Sequence, residues 1–218
     1  MFSEMCQGLI ITQGDNFNLN EFPYKYDDHV VFMDFDGMLT DSKLSTIEVA
    51  LSELTGGKLE LLIATKPTTG RVHIRTNIVS WLNHKDILTY LKQYLREFLA
   101  RDDFDNMFDT RAMGLNSIYS CKFKDGVLLP EFYVPIGEPM VRPDAQIMIE
   151  NLWRYSIYNT KGSVEFLPEI ITDIQQVAAE VAANAKAKET KEAFDWAAQD
   201  DFYAAGKLAM FDGKYPHV

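Results

Sequence analysis

Residues 29–43 read HVVFMDFDGMLTDSK, with Asp34 and Asp36 one residue apart at the end of an apolar run and Gly37 directly after them. In a strand, residues i and i+2 point to the same face, so both carboxylates would converge on one spot. Two kinds of phosphorus chemistry use such a pair. In one, the first aspartate attacks phosphorus and the second moves the proton. In the other, both hold divalent cations, one lowering the pKa of an attacking hydroxyl and one holding a triphosphate and its leaving group. Hard cations such as Mg2+ or Mn2+ prefer carboxylate oxygen, so either metal would suit these ligands.

Three further groups carry candidate chemistry. In TTGRVHIRTN, Val72 and Ile74 would face a core, and Arg71, His73 and Arg75 the opposite side. A histidine between two arginines on one strand face suits a triphosphate, the imidazole donating to a phosphate oxygen and the guanidiniums supplying charge. An ordinary charged surface strand has the same alternation. Asp109, in FDNMFDTR, would close a cation site from an adjacent strand, or would cap a loop. Lys122 and Lys124 share one face of YSCKFKDG, where they would meet phosphate or template backbone, or guard a solvated hairpin edge.

The elements that must position these residues read as α/β to about residue 150 and mostly helical beyond it, giving a catalytic domain over 1–150 and a helical C-terminal region over 151–218. HVVFMD suits a buried strand. STIEVALSELTGG has helical spacing, with Ser45 as N-cap and Gly56 as stop. KLELLIATK and RVHIRT around PTTG predict a hairpin, and KDILTYLKQYLREFLARDD is the clearest amphipathic helix. NSIYSCKF and LLPEFYVPI follow as strands around a KDG turn. From Pro168 an Ala-rich helix runs to about residue 199, its apolar face thin beyond 178, as expected of a solvated arm or a partner-docking element.

A chain of 218 residues, 47% of them hydrophobic, can bury one good-sized core. The net charge of −11 argues against a polyanionic partner, yet residues 61–130 hold ten Lys/Arg against seven acids, a balance that either a central basic surface within an acidic molecule or an ordinary solvated face would give. Cys6 and Cys121 lie far apart and form no metal-ligand spacing, which predicts two reduced thiols. No apolar run approaches a membrane span, and MFSEMCQGLI lacks the pattern of a signal peptide, so no membrane partner and a cytoplasmic, intracellular location are expected.

Two families share these motifs. DFDGMLTD resembles the strand-ending D-x-D-G-x-x-T of haloacid-dehalogenase-like phosphatases, and LLIAT, ending at Thr65, resembles their second motif. That resemblance implies Asp34 as nucleophile and Asp36 as acid/base. It also demands a late magnesium-binding acidic pair after an apolar strand, for which Asp102, Asp103 and Asp105 follow a helix instead.

The set DFD, GRVH and FDT in that order, followed by SIYSCKFKDG and FYVPI, resembles the catalytic module of archaeo-eukaryotic primases, including the viral primase and primase-polymerase branch, over about residues 30–136. The resemblance implies an RRM-like mixed sheet with flanking helices, and a metal-dependent nucleotidyltransferase that makes or extends primers. Asp34, Asp36 and Asp109 would then bind Mg2+ or Mn2+, and Arg71, His73, Arg75, Lys122 and Lys124 would bind nucleotide. Its partners would be nucleoside triphosphates, a single-stranded nucleic-acid template and a helicase or replication subunit, in a protein of viral or phage origin acting inside the host cell. The sequence departs from the family pattern in its short segment before Asp34 and in having Arg71 two residues before the histidine. It also lacks a zinc-binding cysteine set and a P-loop, as a minimal catalytic subunit would. A third class is a non-catalytic viral structural or interaction protein whose long helix is the working part.

Overall fold

The computed structural model describes residues 8–14, 16–23, 28–99, 101–111 and 114–188. It has a mixed α+β architecture. The chain divides into two compact units, Met1–Gln175 and Gln176–Val218, so the boundary falls well after the expected 150. The reason is burial: Leu152, Ile157, Phe166 and Ile174 all belong to the interior of the first unit.

The central sheet grows from the run that carries the aspartates. Strand β3 (His29–Phe35) leads into helix α1 (Asp41–Ser52), then strands β4 (Leu61–Lys66) and β5 (Arg71–Ser80), then helix α2 (His84–Leu95). β5 lies between β3 and β4 and is antiparallel to both. A short helix α3 (Arg101–Met107) follows, and the chain then returns to β3 through an antiparallel bridge between Phe35 and Phe108. The succession is β-α-β-β-α-α closed by a single bridge, with 107–109, β3, β5 and β4 in that spatial order: the strand order of the split β-α-β pattern of RRM-like and ferredoxin-like sheets, its fourth position held by that bridge alone. Beyond β4 lies β9 (Val134–Pro135), and β10 (Val164–Glu165) runs parallel to the far end of β5.

Local chemistry fixes the ends of these elements. The side chain of Thr40 accepts from the amide of Lys43, so α1 begins five residues earlier than Ser45 would have allowed, with Asp41 in its first turn. The β4–β5 hairpin closes where the amides of Thr69 and Gly70 donate to the carbonyl of Lys66, with Gly70 at a φ of 70° that glycine adopts without strain.

One face of the sheet carries the main core. Phe35, Met33 and Ile74 are fully buried, as are Ile47 and Leu51 of α1 and Ile87, Leu88, Leu91 and Leu95 of α2. Each such side chain contributes roughly 1.5–3 kcal/mol by leaving water. A second cluster, including Ala64, Ile118, Cys121, Phe132 and Tyr133, builds on the other side. It uses a hairpin of β7 (Cys121–Lys124) and β8 (Val127–Phe132), whose turn at Asp125 and Gly126 has positive φ at both positions, together with helix α4 (Ala145–Arg154). A separate three-stranded sheet joins β1 (Gly8–Gln13), β2 (Asn16–Glu21) and β6 (Leu115–Asn116).

Residues 168–188 form helix α5, and the unit boundary falls within it. In the second unit, residues 179–188 are exposed throughout, in keeping with the thin apolar face; the expected continuation to residue 199 lies outside the described residues. No helix among the described residues is long and apolar enough to cross a membrane. Cys121 is a buried free thiol, and Cys6 lies outside the described residues.

Candidate active site

Strand register builds the site. Phe35 and Phe108 bridge on the core side with their rings 5.1 Å apart, so the neighbouring pair Asp34 and Asp109 turns to the opposite face. Two backbone hydrogen bonds hold this edge, from the Asp109 amide to the Asp34 carbonyl at 3.0 Å and from the Asp36 amide to the Met107 carbonyl at 2.8 Å. On the other side of β3, Asp34 is the register partner of His73, which in turn faces Ala64 of β4. Arg71 lies opposite Lys66 across the same hairpin. The aspartates, His73 and Arg71 therefore meet at one end of one sheet face.

Each carboxylate has a different partner. His73 Nε2 stands 3.4 Å from Asp34 Oδ1, an oxygen that is buried and, among the described residues, accepts no hydrogen bond. Asp36 pairs with Arg71 at 2.8 Å, both side chains about two-fifths exposed. Asp109 Oδ1 accepts from the Arg111 amide at 2.8 Å and lies 3.5 Å from the Arg111 guanidinium. Exposed ion pairs of this kind are worth about 0–1 kcal/mol, so they open readily.

As the side chains stand, no three of His, Cys, Asp and Glu among the described residues are close enough to hold a metal ion. The backbone brings Asp34, Asp36 and Asp109 together, while the arginines draw two of the three carboxylates aside. The donor set still fits Mg2+ or Mn2+ in chemistry: carboxylate oxygens only, one of them buried and lacking a hydrogen bond, the other two held by exposed and weak pairs.

Beside Asp34 lies a cavity of about 140 Å³, lined by Asp34, Arg71, His73 and Lys122 among the expected site residues. That is roughly ten times the ~10–15 Å³ a single water needs. Lining residues that the sequence reading did not single out include Lys66, Glu131 and Tyr133. Tyr133 stacks on His73 with ring centroids 3.5 Å apart, fixing the plane of the imidazole. Burial, with the negative charge of Asp34 next, raises the Tyr133 phenol well above its ordinary pKa and keeps it protonated. Lys66 pairs with Glu131 at 2.8 Å, and that contact lowers the Glu131 carboxyl below its ordinary value. The signal for Lys66 was present in the sequence, since it ends the strand whose hairpin partner begins at Arg71.

Arg75 has a different task from the one expected. It shares the face of His73 but is buried, with Nε donating to the Ser156 carbonyl at 2.8 Å and a second N–H to the Asn159 carbonyl. Burial pushes its pKa down to about 10, with Glu21 acting in the opposite direction. Glu21 itself accepts from Ser156 Oγ and the Ile157 amide. Arg75 therefore ties β5 to the 156–159 loop and is not among the residues lining the cavity beside Asp34. Lys124 sits beyond that cavity, exposed at the hairpin tip.

Part of the basic central segment is spent inside the fold, while Lys85, Arg111, Lys122 and Lys124 are exposed. Lys92 donates to the carbonyls of Asp105 and Phe108, and Arg96 pairs with Asp105 at 2.6 Å. These contacts anchor α3 and so position Asp109. They also occupy Asp105, one of the acids a phosphatase would have needed for magnesium; the side chains of Asp102 and Asp103 lie outside the described residues. Thr40, which matched the phosphatase motif, serves as the cap of α1.

No protein-family model matches the chain, and no curated protein matches it. Function therefore has to be argued from the site itself.

Proposed function

We propose that this chain is a metal-dependent nucleotidyltransferase of the primase or primase-polymerase kind, making or extending primers on a single-stranded nucleic-acid template. The observation that carries the reading is Asp34. Its buried Oδ1 accepts no hydrogen bond among the described residues, Asp109 stands beside it, His73 faces it across the sheet, and a cation-lined cavity opens next to it. The strand order, with Asp34 near the end of β3 and Asp109 hydrogen-bonded beside it, supports the same reading.

Asp34, Asp36 and Asp109 would hold Mg2+ or Mn2+, which when bound would acidify the primer 3′-hydroxyl and balance charge on the triphosphate. His73, held flat by Tyr133, would donate to a phosphate oxygen, and Arg71 would supply charge after leaving Asp36. Lys122 would contact the phosphates or the template. Arg75 has no part in nucleotide binding in this proposal, and Lys124 is left to the template side. A helicase or replication subunit would supply template loading, with the C-terminal region as its docking element, in the cytoplasm of a virus- or phage-infected cell.

The test is primer extension with Mg2+ or Mn2+ on a single-stranded template, alongside hydrolysis of a generic phosphomonoester. Metal-dependent incorporation by the parent and its loss in Asp34→Asn is the expected result. Phosphomonoester hydrolysis that depends on Asp34, without incorporation, would move the assignment to the phosphatase. Neither activity, with no metal binding, would leave the interaction protein.

A further inference from the structure

We propose that Lys66 and Lys122 form a phosphate-binding subsite of the cavity, and that Glu131 fills it as a tethered anion that a polyphosphate chain must displace. The proposal rests on the nucleotidyl-transfer reading only in naming that chain as the tail of a nucleoside triphosphate.

The asymmetry of one ion pair carries it. Lys66 Nζ and Glu131 Oε2 are 2.8 Å apart, yet the lysine side chain is 7% exposed and the glutamate 38%. Lys66 ends β4, its carbonyl anchors the hairpin turn and its side chain is buried, so the cation stays inside the fold. A buried ammonium needs a counter-charge at all times. Glu131 can turn into water once another anion takes its place, so the cation is the fixed partner and the anion the exchangeable one.

The surroundings favour a long polyanion. With Glu131 displaced, Lys66, Arg71 and Lys122 line a cavity that retains Asp34 as its acid among the lining residues, with His73 as a further donor. A tethered carboxylate competes at an effective concentration on the millimolar scale. Orthophosphate, with a single phosphate group to place, loses that competition. A chain of linked phosphates reaches Lys122 and Arg71 together with Lys66, and wins it by multivalency. Glu131 thereby sets a threshold that linked phosphates pass and a single phosphate does not.

Calorimetric titration of the full chain with inorganic tripolyphosphate and with orthophosphate, in EDTA, tests this. The parent should bind tripolyphosphate in preference to orthophosphate. Glu131→Gln should bind both about tenfold more tightly. Lys66→Met should lose tripolyphosphate binding and Lys66→Arg should keep it. Glu131→Gln added to Lys66→Met should restore nothing, because the glutamate acts through the lysine. Should Lys66→Met fail to fold by circular dichroism, Lys66→Arg and Glu131→Gln decide the matter. Unchanged affinities in Glu131→Gln, or parent-like affinity in a folded Lys66→Met, would overturn the subsite. A chain that shows the expected shifts without incorporating nucleotide keeps the subsite and loses the transferase reading. One that incorporates nucleotide while Glu131→Gln changes neither affinity loses the subsite alone.

Discussion

The amide of Asp109 donates to the carbonyl of Asp34 at 3.0 Å, so two carboxylates far apart in the chain become cross-strand neighbours at the end of one sheet. Asp34→Asn should therefore bring metal-dependent incorporation down to background. Stability should hold or rise slightly, because a buried carboxylate oxygen without a hydrogen bond is replaced by a neutral amide. Primer extension and urea denaturation of the same samples check both halves, and an active variant would sink the metal-site reading.

His73→Ala should weaken nucleotide binding about ten- to a hundred-fold, the worth of one charge-assisted hydrogen bond at roughly 1.5–3 kcal/mol. Manganese binding at the aspartates should survive. Nucleotide titration with and without manganese separates the two effects, and parent-like nucleotide affinity would remove His73 from the proposed site.

Lys92 is a positioning residue, since it holds the carbonyls of Asp105 and Phe108 just before Asp109. Lys92→Met should cost about 1–3 kcal/mol of stability from the two hydrogen bonds lost. Incorporation should fall further than nucleotide affinity does, because Asp109 shifts while the cavity stays intact, and Lys92→Arg should restore part of it. An equal fall in both quantities would indicate general damage instead.

Arg75→Met separates a structural arginine from a nucleotide ligand. The variant strips the Ser156 and Asn159 carbonyls of their donor and leaves the buried Glu21 without the nearby positive charge. A loss of about 3–5 kcal/mol is expected. Nucleotide affinity of the folded fraction should be unchanged; a large drop would return Arg75 to the binding site.

Stability should also fall on mild acidification, through His84. Its ring stacks on Phe32, its Nδ1 lies 3.3 Å from His29 Nε2, and burial, then the neighbouring histidine, lowers its pKa well below 6.5. The unfolded chain binds a proton near pH 6.5 that the folded chain refuses, so the stability is complete above about pH 6.5 and declines below it. The slope from this group approaches about 1.4 kcal/mol per pH unit. Urea melts at pH 7.5 and 5.5 measure it, and His84→Gln should flatten the difference.

Local patterns announced much of this fold. The apolar run before Asp34, the alternation through RVHIRT and the turn at PTTG specify β3, β4 and β5, and the hairpin leaves little choice of register between β4 and β5. The pairing of Asp34 with His73 joins β3 to β5 across the intervening α1 and β4, so the hairpin does not dictate it. What stayed hidden depends on distant chain. Period-two alternation says that Arg71, His73 and Arg75 share a face, but it cannot say that residues 156–159 will cover one end of that face and leave the other open. Lys66 and Glu131 were equally illegible as a pair, since they meet through the long-range pairing of β4 with β9, just after β8. The start of α1 was misplaced because Thr40 and Ser45 are both acceptable caps, and packing of Leu44 in the core decides between them.

The third carboxylate sits on a narrow ledge. Residues 107–109 join β3 through one bridge and two backbone hydrogen bonds, while β3 and β5 are paired along most of their length. Edges held so lightly open without the rest of the sheet, at a free energy below that of global unfolding. Amide hydrogen exchange at Asp36 and Asp109 should therefore be faster than in β5. On warming, the ledge would detach while the sheet persists, and the molecule would stop working before it melts.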